Sequence, residues 1–416
     1  MKNVLVSLGL FLSVIAQAQN YLHQAIILNE GYFDYQTNQI LEPVTIGKYD
    51  PITQSYSVVN TLDGMRFASD VIIDGNFYYV AADSKIFKMD LNSHQEISSV
   101  SCPGVRNLGI YQNKIVATRG EFLTAYDSYL HVYDASNITL IAAIDTIQGP
   151  KWATQNVVID GTSAFIAVNN GYEWGNEKGI IGKLDLNTLT YGNEIDLGPD
   201  GKNPDNLVKV GSFLYSVNNK DWSGASISKV ALDGSSTSTV NIATASTGCG
   251  TSALRNDKLV YQISMETTLN EFEINGMNNV GPVSGHTLNY YELAQEPISG
   301  NLFASETDFF SFGKVHVFDA SNNELNNFNV GISPGTIVFD VRPGSANLNE
   351  LASNITIFPN PTTDFLNVNL EGTKQILDLN GKVLLVSDLN TIDVQKLTTG
   401  IYMIELNGMT FKFQKN

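Results

Sequence analysis

One short element recurs seven times along this chain, and it constrains the fold more than any other feature. It reads IGKYDPIT from Ile46, IFKMDLNS from Ile86, LHVYDASN from Leu130 and IGKLDLNT from Ile181, then ISKVALDG from Ile227, LNEFEING from Leu269 and VHVFDASN from Val315. Successive copies begin 40, 44, 51, 46, 42 and 46 residues apart. The stretches from His131 and from His316, HVYDASN and HVFDASN, differ at one position. Each copy alternates polar and apolar residues, as a strand does, and runs into a turn rich in Asp, Asn, Ser and Gly. The acids at the turn (Asp50, Asp90, Asp134, Asp185 and Asp319) are placed to accept backbone N–H groups, as Asx-turns require.

The surroundings repeat as well. A strand such as SDVIID (Ser69 to Asp74) precedes a tight turn, FYYVAA (Phe77 to Ala82) follows, then the repeated strand, then a closing strand such as EISSV (Glu96 to Val100). Asp74-Gly75, Asp160-Gly161 and Ser299-Gly300 mark hairpins between the first two strands. Four short antiparallel strands every ~45 residues is the spacing of a β-propeller blade. The copy at Ile46 has AIILNE (Ala25 to Glu30) before it but lacks an innermost strand, and TIVFDV (Thr336 to Val341) is left over after the last complete unit. Placing residues 336–341 innermost in the first blade closes the ring and favours seven blades over six or eight. The expected fold is all-β: a seven-bladed propeller over residues 19–342.

The N-terminus reads as an export leader over residues 1–18. Met1-Lys2-Asn3 is a short basic start, Val4 to Ala16 is apolar but short for a bilayer span, and Ala16-Gln17-Ala18 is a small-residue cleavage site. No Cys follows the apolar run, so a lipoprotein anchor is not indicated. The formal charge of -18 and pI of about 4.6 oppose phosphate backbones and anionic headgroups, so nucleic acid is excluded as a partner. Cys102 and Cys249 are the two cysteines, and the repeat places them at blades three steps apart, which argues against a disulfide.

After residue 342 the composition changes. Residues 343–354 begin Pro-Gly-Ser-Ala-Asn and read as a linker; residues 355–416 hold about six or seven short strands, enough for a separate Ig-like β-sandwich. FPNPTTDFLNVN (Phe358 to Asn369), LDLNGKVLL (Leu377 to Leu385), LTTGIYMIEL (Leu397 to Leu406) and the terminal FKFQK (Phe411 to Lys415) together resemble the C-terminal sorting domain of the type IX secretion system. Its motif positions here are Pro359, Asn360, Pro361, Gly381, Gly400, Tyr402 and Lys412. Pro359 and Pro361 stiffen the entry, and Gly400 is read as a tight turn before a strand. The resemblance implies passage across the outer membrane by the type IX machinery, tail removal, and release or attachment at the cell surface.

The blade pattern and the opening ILNEGYF (Ile27 to Phe33) resemble YncE-like and surface-layer propellers, and the cell-surface cobalamin-binding propellers of gut bacteria. That resemblance implies capture of a corrinoid or similar nutrient, with an outer-membrane transporter as a partner. Propeller geometry gathers the interblade loops and the second-to-third-strand loops on one face. There the sequence places Glu30, Tyr32, Phe33, Arg66, Arg106, Arg119, Glu121, Trp152, Tyr172, Trp174, Asp221, Trp222, Tyr290, Tyr291, Phe309 and Phe310. An aromatic rim around polar groups suits a flat or cyclic small molecule, or a stacked sugar.

Signals for catalysis are thin. His23, His94, His131, His286 and His316 lack metal-ligand spacing, and no metal, cofactor, phosphate-loop or nucleophile-elbow motif occurs. A carboxylate pair would have to be Glu173 with Asp221. Ligand binding is therefore the expectation, with a glycan-active hydrolase or lyase and an adhesion module as the alternatives.

Overall fold

A computed structural model describes residues 19–247, 251–344, 356–369, 372–379, 381–406 and 409–416. The leader reading (1–18), Cys249 and most of the linker reading lie outside the described residues. The chain divides into two compact units, one spanning Tyr21–Arg342 and the other holding Pro343–Asn416.

The first unit holds seven four-stranded antiparallel sheets, the fourth with its outer strand in two pieces. Their innermost strands are Pro334–Arg342, Ala68–Asp74, Val105–Tyr111, Thr154–Asp160, Pro204–Val210, Ser252–Arg255 and Glu292–Gln295, in blades 1 to 7. Each lies against the next, and the seventh against the first, so the sheets form a closed β-propeller. All seven copies of the recurring element form third strands, such as Lys85–Asp90 in blade 2 and Ser128–Asp134 in blade 3.

Strand alternation explains how the ring holds together. A blade is packed on both faces, so its second strand is a continuous apolar run instead of an alternating one. In Phe77–Ala82, Tyr78 and Val80 join a core with Ile26, Leu28 and Ile46 of blade 1. Tyr79 and Ala81 point the other way, into a core with Leu108, Ile115 and Ala117 of blade 3. The same division gives one apolar core at every blade junction, including Ala25, Ile27 and Ile337 of blade 1 with Phe303, Val315 and Val317 of blade 7. Each fully buried large side chain is worth roughly 1.5–3 kcal/mol.

In blade 1 the two ends of the ring sequence pair with each other. Pro334–Arg342 runs antiparallel to Tyr21–Asn29, with Ala25 opposite Phe339 and Ile27 opposite Ile337. Gln24 Nε2 donates to Asp340 Oδ2 at 3.0 Å, and Arg342 pairs with Asp340 at 2.7 Å.

The turns after the recurring strands explain their acids. Asp50 accepts from the Ile52 and Thr53 N–H groups, Asp90 from Asn92 and Ser93, and Asp185 from Asn187 and Thr188. Asp134 accepts from Ser136 and Asp319 from Ser321, and Asp233 and Glu273 do the same work in blades 5 and 6. Gly47 and Gly182 share one repeat position. There the Tyr56 and Tyr191 rings of the outer strands occupy the space a Cβ would need.

The second unit packs two sheets over one core. A three-stranded sheet (Ile357–Phe358, Phe365–Val368, Thr391–Asp393) and a four-stranded sheet (Val383–Ser387, Lys374–Leu377, Gly400–Leu406, Met409–Lys415) bury Leu366, Ile376, Ile404 and Phe413. Asn360 ties the entry to the last strand: its Nδ2 donates to Lys412 O at 3.2 Å, and its Oδ1 accepts from Gln414 N at 2.9 Å. Pro359 and Pro361 flank it, each after a cis bond. Tyr402 stacks on Phe413 and donates to Thr398 O at 2.8 Å. Gly381 takes φ +81°, as a hairpin glycine does; Asn380 lies outside the described residues. Gly400 departs from the expectation. It is already in the strand, opposite Lys415, and a Cβ there would meet only ordinary contacts at 3.7–3.9 Å, so no tight turn requires it.

Candidate functional site

In blades 2 to 5 the innermost strand opens with the same irregularity. The register slips between Ala68 and Asp70, Val105 and Leu108, Thr154 and Val157, and Pro204 and Asn206. A bulge of this kind re-aims the residues it displaces. Here those residues are polar pairs: Ser69-Asp70, Arg106-Asn107, Gln155-Asn156 and Asp205-Asn206. They sit at the channel end where the interblade loops gather.

Arg106 anchors a ladder of stacked groups at this end. Its guanidinium carbon lies 4.4 Å from the Tyr172 ring centroid and 5.3 Å from that of Phe67. Arg66 stands 5.4 Å from the same Phe67 ring and 5.9 Å from Phe33. The order Phe33, Arg66, Phe67, Arg106, Tyr172 alternates ring and cation, each contact worth about 0.5–2 kcal/mol. Arg66 is held by Asp83 at 2.5 Å and Glu121 at 2.9 Å, and these carboxylates push its pKa above the usual guanidinium value. Arg106 donates from Nε to Gly120 O at 2.5 Å, and neither Nη makes a hydrogen bond among the described residues. Tyr172 donates to Gln155 Oε1 at 3.1 Å.

The same end of the ring carries carboxylates without ion-pair partners among the described residues. Burial raises the Glu30 pKa to about 7, against the lowering effects of the Tyr291 hydroxyl, which donates at 2.6 Å, and of the Arg106 charge. Burial also raises Asp70 to about 6, although Leu108 N–H donates to it at 2.7 Å, and Asp205 to about 6. Glu292 is raised well above the carboxylate range by burial and by the charges of Asp70 and Glu30. Groups from blades 7, 1 and 2 sense one another, which places them around the ring axis. No group of three or more His, Cys, Asp or Glu side chains among the described residues is arranged to hold a metal ion.

The remaining aromatics form a second arc. Phe309 meets Tyr291 edge-on at 5.1 Å, and Phe310 meets Tyr32 edge-on at 5.4 Å. Trp174, 81% exposed, and Trp222, 41% exposed, stand on second-to-third-strand loops of blades 4 and 5 and make no ring contact with the ladder. Trp152 is half-buried against the core between blades 3 and 4, with Lys178 Nζ 4.9 Å from its ring.

Two expected site residues are structural. Arg119 is buried; it donates to Pro103 O and Ser128 O and lies over Tyr126, because the second-strand position turns it inward. Tyr290 is buried in the core between blades 6 and 7, its hydroxyl 3.1 Å from His286 Nδ1. The pair Glu173 and Asp221 lacks the divergence that acid–base chemistry needs. Asn170 and Asn176 lower the first and Ser223 lowers the second, so both stay ionised. His131 is half-buried beside Arg119, and loss of solvent followed by that charge drives it down to about 4. Phe67, Asp70, Asp83, Gln155, Asp205 and Glu292 are the components missing from the sequence reading. The polar pair opening each bulged strand is the signal that could have found three of those positions, Asp70, Gln155 and Asp205.

Fold and site together define an exported β-propeller with a polar, aromatic-lined channel mouth. The tail is a secretion system C-terminal sorting domain: residues 356–416 match that family's model, which marks the chain as cargo of the type IX machinery. No curated protein matches the chain by sequence. Solved structures share the propeller fold at low identity. The extracellular domain of a hybrid two-component system from B. thetaiotaomicron aligns with TM-score 0.55 and 11% identity over 96% of this chain, which spans 59% of that chain's length. A hypothetical selenium-binding protein from Sulfolobus tokodaii aligns with TM-score 0.56 and 10% identity, over 78% of this chain and 94% of its own. Apo AztD from Citrobacter koseri aligns with TM-score 0.50 and 11% identity, over 78% and 99%. At these identities the likeness is one of fold alone.

Proposed function

We propose that the propeller is a binding module that works outside the cell, taking a small molecule at the channel mouth. The observation that carries this reading is Arg106. It is clamped between Phe67 and Tyr172, fixed through Nε, and left with both Nη groups for a ligand acceptor. A guanidinium pre-oriented in this way binds a carboxylate, phosphate or amide edge at little entropic cost. The neighbouring rings Phe33, Tyr32 and Phe309 offer faces for a planar or cyclic body. A corrinoid has this character: a wide ring with amide groups at its edge. An outer-membrane transporter would then be the receiving partner.

Isothermal titration calorimetry with cobalamin tests the reading directly. We expect heat from the parent protein and an affinity at least ten-fold weaker in Arg106→Ala. Equal affinity in parent and variant would move the ligand off the ladder. A parent protein silent to cobalamin, and unshifted in melting temperature by a panel of planar and cyclic small molecules, would overturn small-molecule capture. The glycan-cleaving alternative has one observation in its favour, the Glu30 carboxyl with its pKa near neutrality.

A further inference from the structure

Blade 4 breaks the ring's regularity. The outer strands of the other six blades run unbroken for 5 to 9 residues. In blade 4 the outer strand is split into Thr190–Tyr191 and Ile195–Asp196, with Gly192 to Glu194 between them. The split leaves space at the junction with blade 5. Two cavities of about 690 and 600 Å³ lie there, and both are lined by Glu194 and Asp196, so they run into one furrow from Gly175 to Thr237.

The furrow's lining is chemically mixed. Glu177 is 5% exposed; its Oε1 accepts Gly175 N–H at 3.0 Å, and Oε2 makes no hydrogen bond among the described residues. Lys178 and Lys202 place donors on the same wall, and Asp196 an acceptor. Trp174 precedes Gly175 at one end and leaves most of its indole in solvent. Trp222, on the facing loop of blade 5, follows Asp221, which feels the charge of the furrow's Lys202.

We propose that this furrow is a second binding site, independent of the channel mouth, and that it takes a neutral linear oligosaccharide stacked on Trp174. Sugars present both donors and acceptors along their edges, and apolar C–H faces above and below. An open, elongated groove with alternating acids and lysines, flanked by an exposed indole, meets those demands. A compact apolar molecule would leave the polar walls unpaired, at a cost. An extended peptide would want a regular sheet edge, which the split strand denies it.

Affinity electrophoresis of the purified protein through gels containing soluble laminarin, xylan, galactomannan or amylopectin tests the assignment. We expect at least one polysaccharide to retard the parent. Trp174→Ala should weaken that retardation ten-fold or more with an unchanged melting temperature, Glu177→Gln should weaken it too, and Arg106→Ala should leave it intact. Unretarded migration of the parent in all four gels would overturn the site. Retardation that survives Trp174→Ala, or that is lost in Arg106→Ala alone, would do the same and would return any glycan to the channel mouth. Failure of cobalamin binding has no bearing on this result, so the two readings stand or fall separately.

Discussion

Two sets of carboxylates occupy opposite ends of the same blades, and the protein treats them in opposite ways. At the ends of the third strands, Asp90, Asp134, Asp185, Asp233, Glu273 and Asp319 lie in solvent and collect N–H and hydroxyl donors from their own turns. Those donors hold their pKa values below the usual range. At the channel end, Asp70 is buried and Glu30, Asp205 and Glu292 are half-buried, and loss of solvent raises their pKa values. The first set strengthens the fold because it is ionised. The second weakens the fold for the same reason, and it lies at the end where we propose the ligand binds. A net charge of -18 therefore has two meanings in one chain.

The largest effect should come from neutralising a channel acid. Asp205 titrates near 6 when folded and near 4 when unfolded, so its contribution favours folding below about pH 4 and is lost as pH rises through 6. Asp205→Asn should therefore stabilise the protein at pH 8 by about 1–2 kcal/mol, after allowance for channel water, and do little at pH 4. Urea unfolding at the two pH values measures this. A variant that is less stable at pH 8 would break the contrast between the two sets.

A smaller effect sharpens the electrostatic picture. The Arg106 charge pulls the Glu30 pKa down from where burial alone would put it. Arg106→Ala should move the Glu30 carboxyl titration, followed by ¹³C NMR, further above 7 by a fraction of a unit to about one unit. An unmoved titration would separate the two residues and weaken the case for a shared site. The smallest effect belongs to the turns. Asp134→Asn should lower the melting temperature slightly at pH 7. That deficit should vanish as pH falls through the depressed Asp134 pKa, because the parent then loses the same ionised acceptor. Scanning calorimetry at pH 7 and pH 3 checks the sign.

How much of this was legible in advance varies with how local each feature is. The repeat acids and the hairpin turns could be read directly, because an Asx-turn is made within three residues of its own acid. The ladder could be read only in part. Arg66, Arg106 and Tyr172 carry a loop signal in the sequence, but Phe67 and Asp83 do not, because their roles depend on contacts that form only on folding. Arg119 and Tyr290 show the reverse error: Arg119 is turned inward at the end of its strand, and Tyr290, just ahead of its blade's innermost strand, packs into the core between blades 6 and 7.

The sequence by itself determined the repeat, its blade-sized spacing, the leftover strand for closing the ring and the sorting tail. All of these are encoded in local patterns that survive without knowledge of neighbours. Only the tertiary structure decided which polar residues meet at the axis, that one blade's split outer strand opens a furrow, and that among the described residues the exposed tryptophans make no ring contact with the arginine ladder. Those outcomes depend on how seven similar sheets are rotated about a common centre. Residues more than a hundred positions apart then share one environment, as Glu30 and Glu292 do.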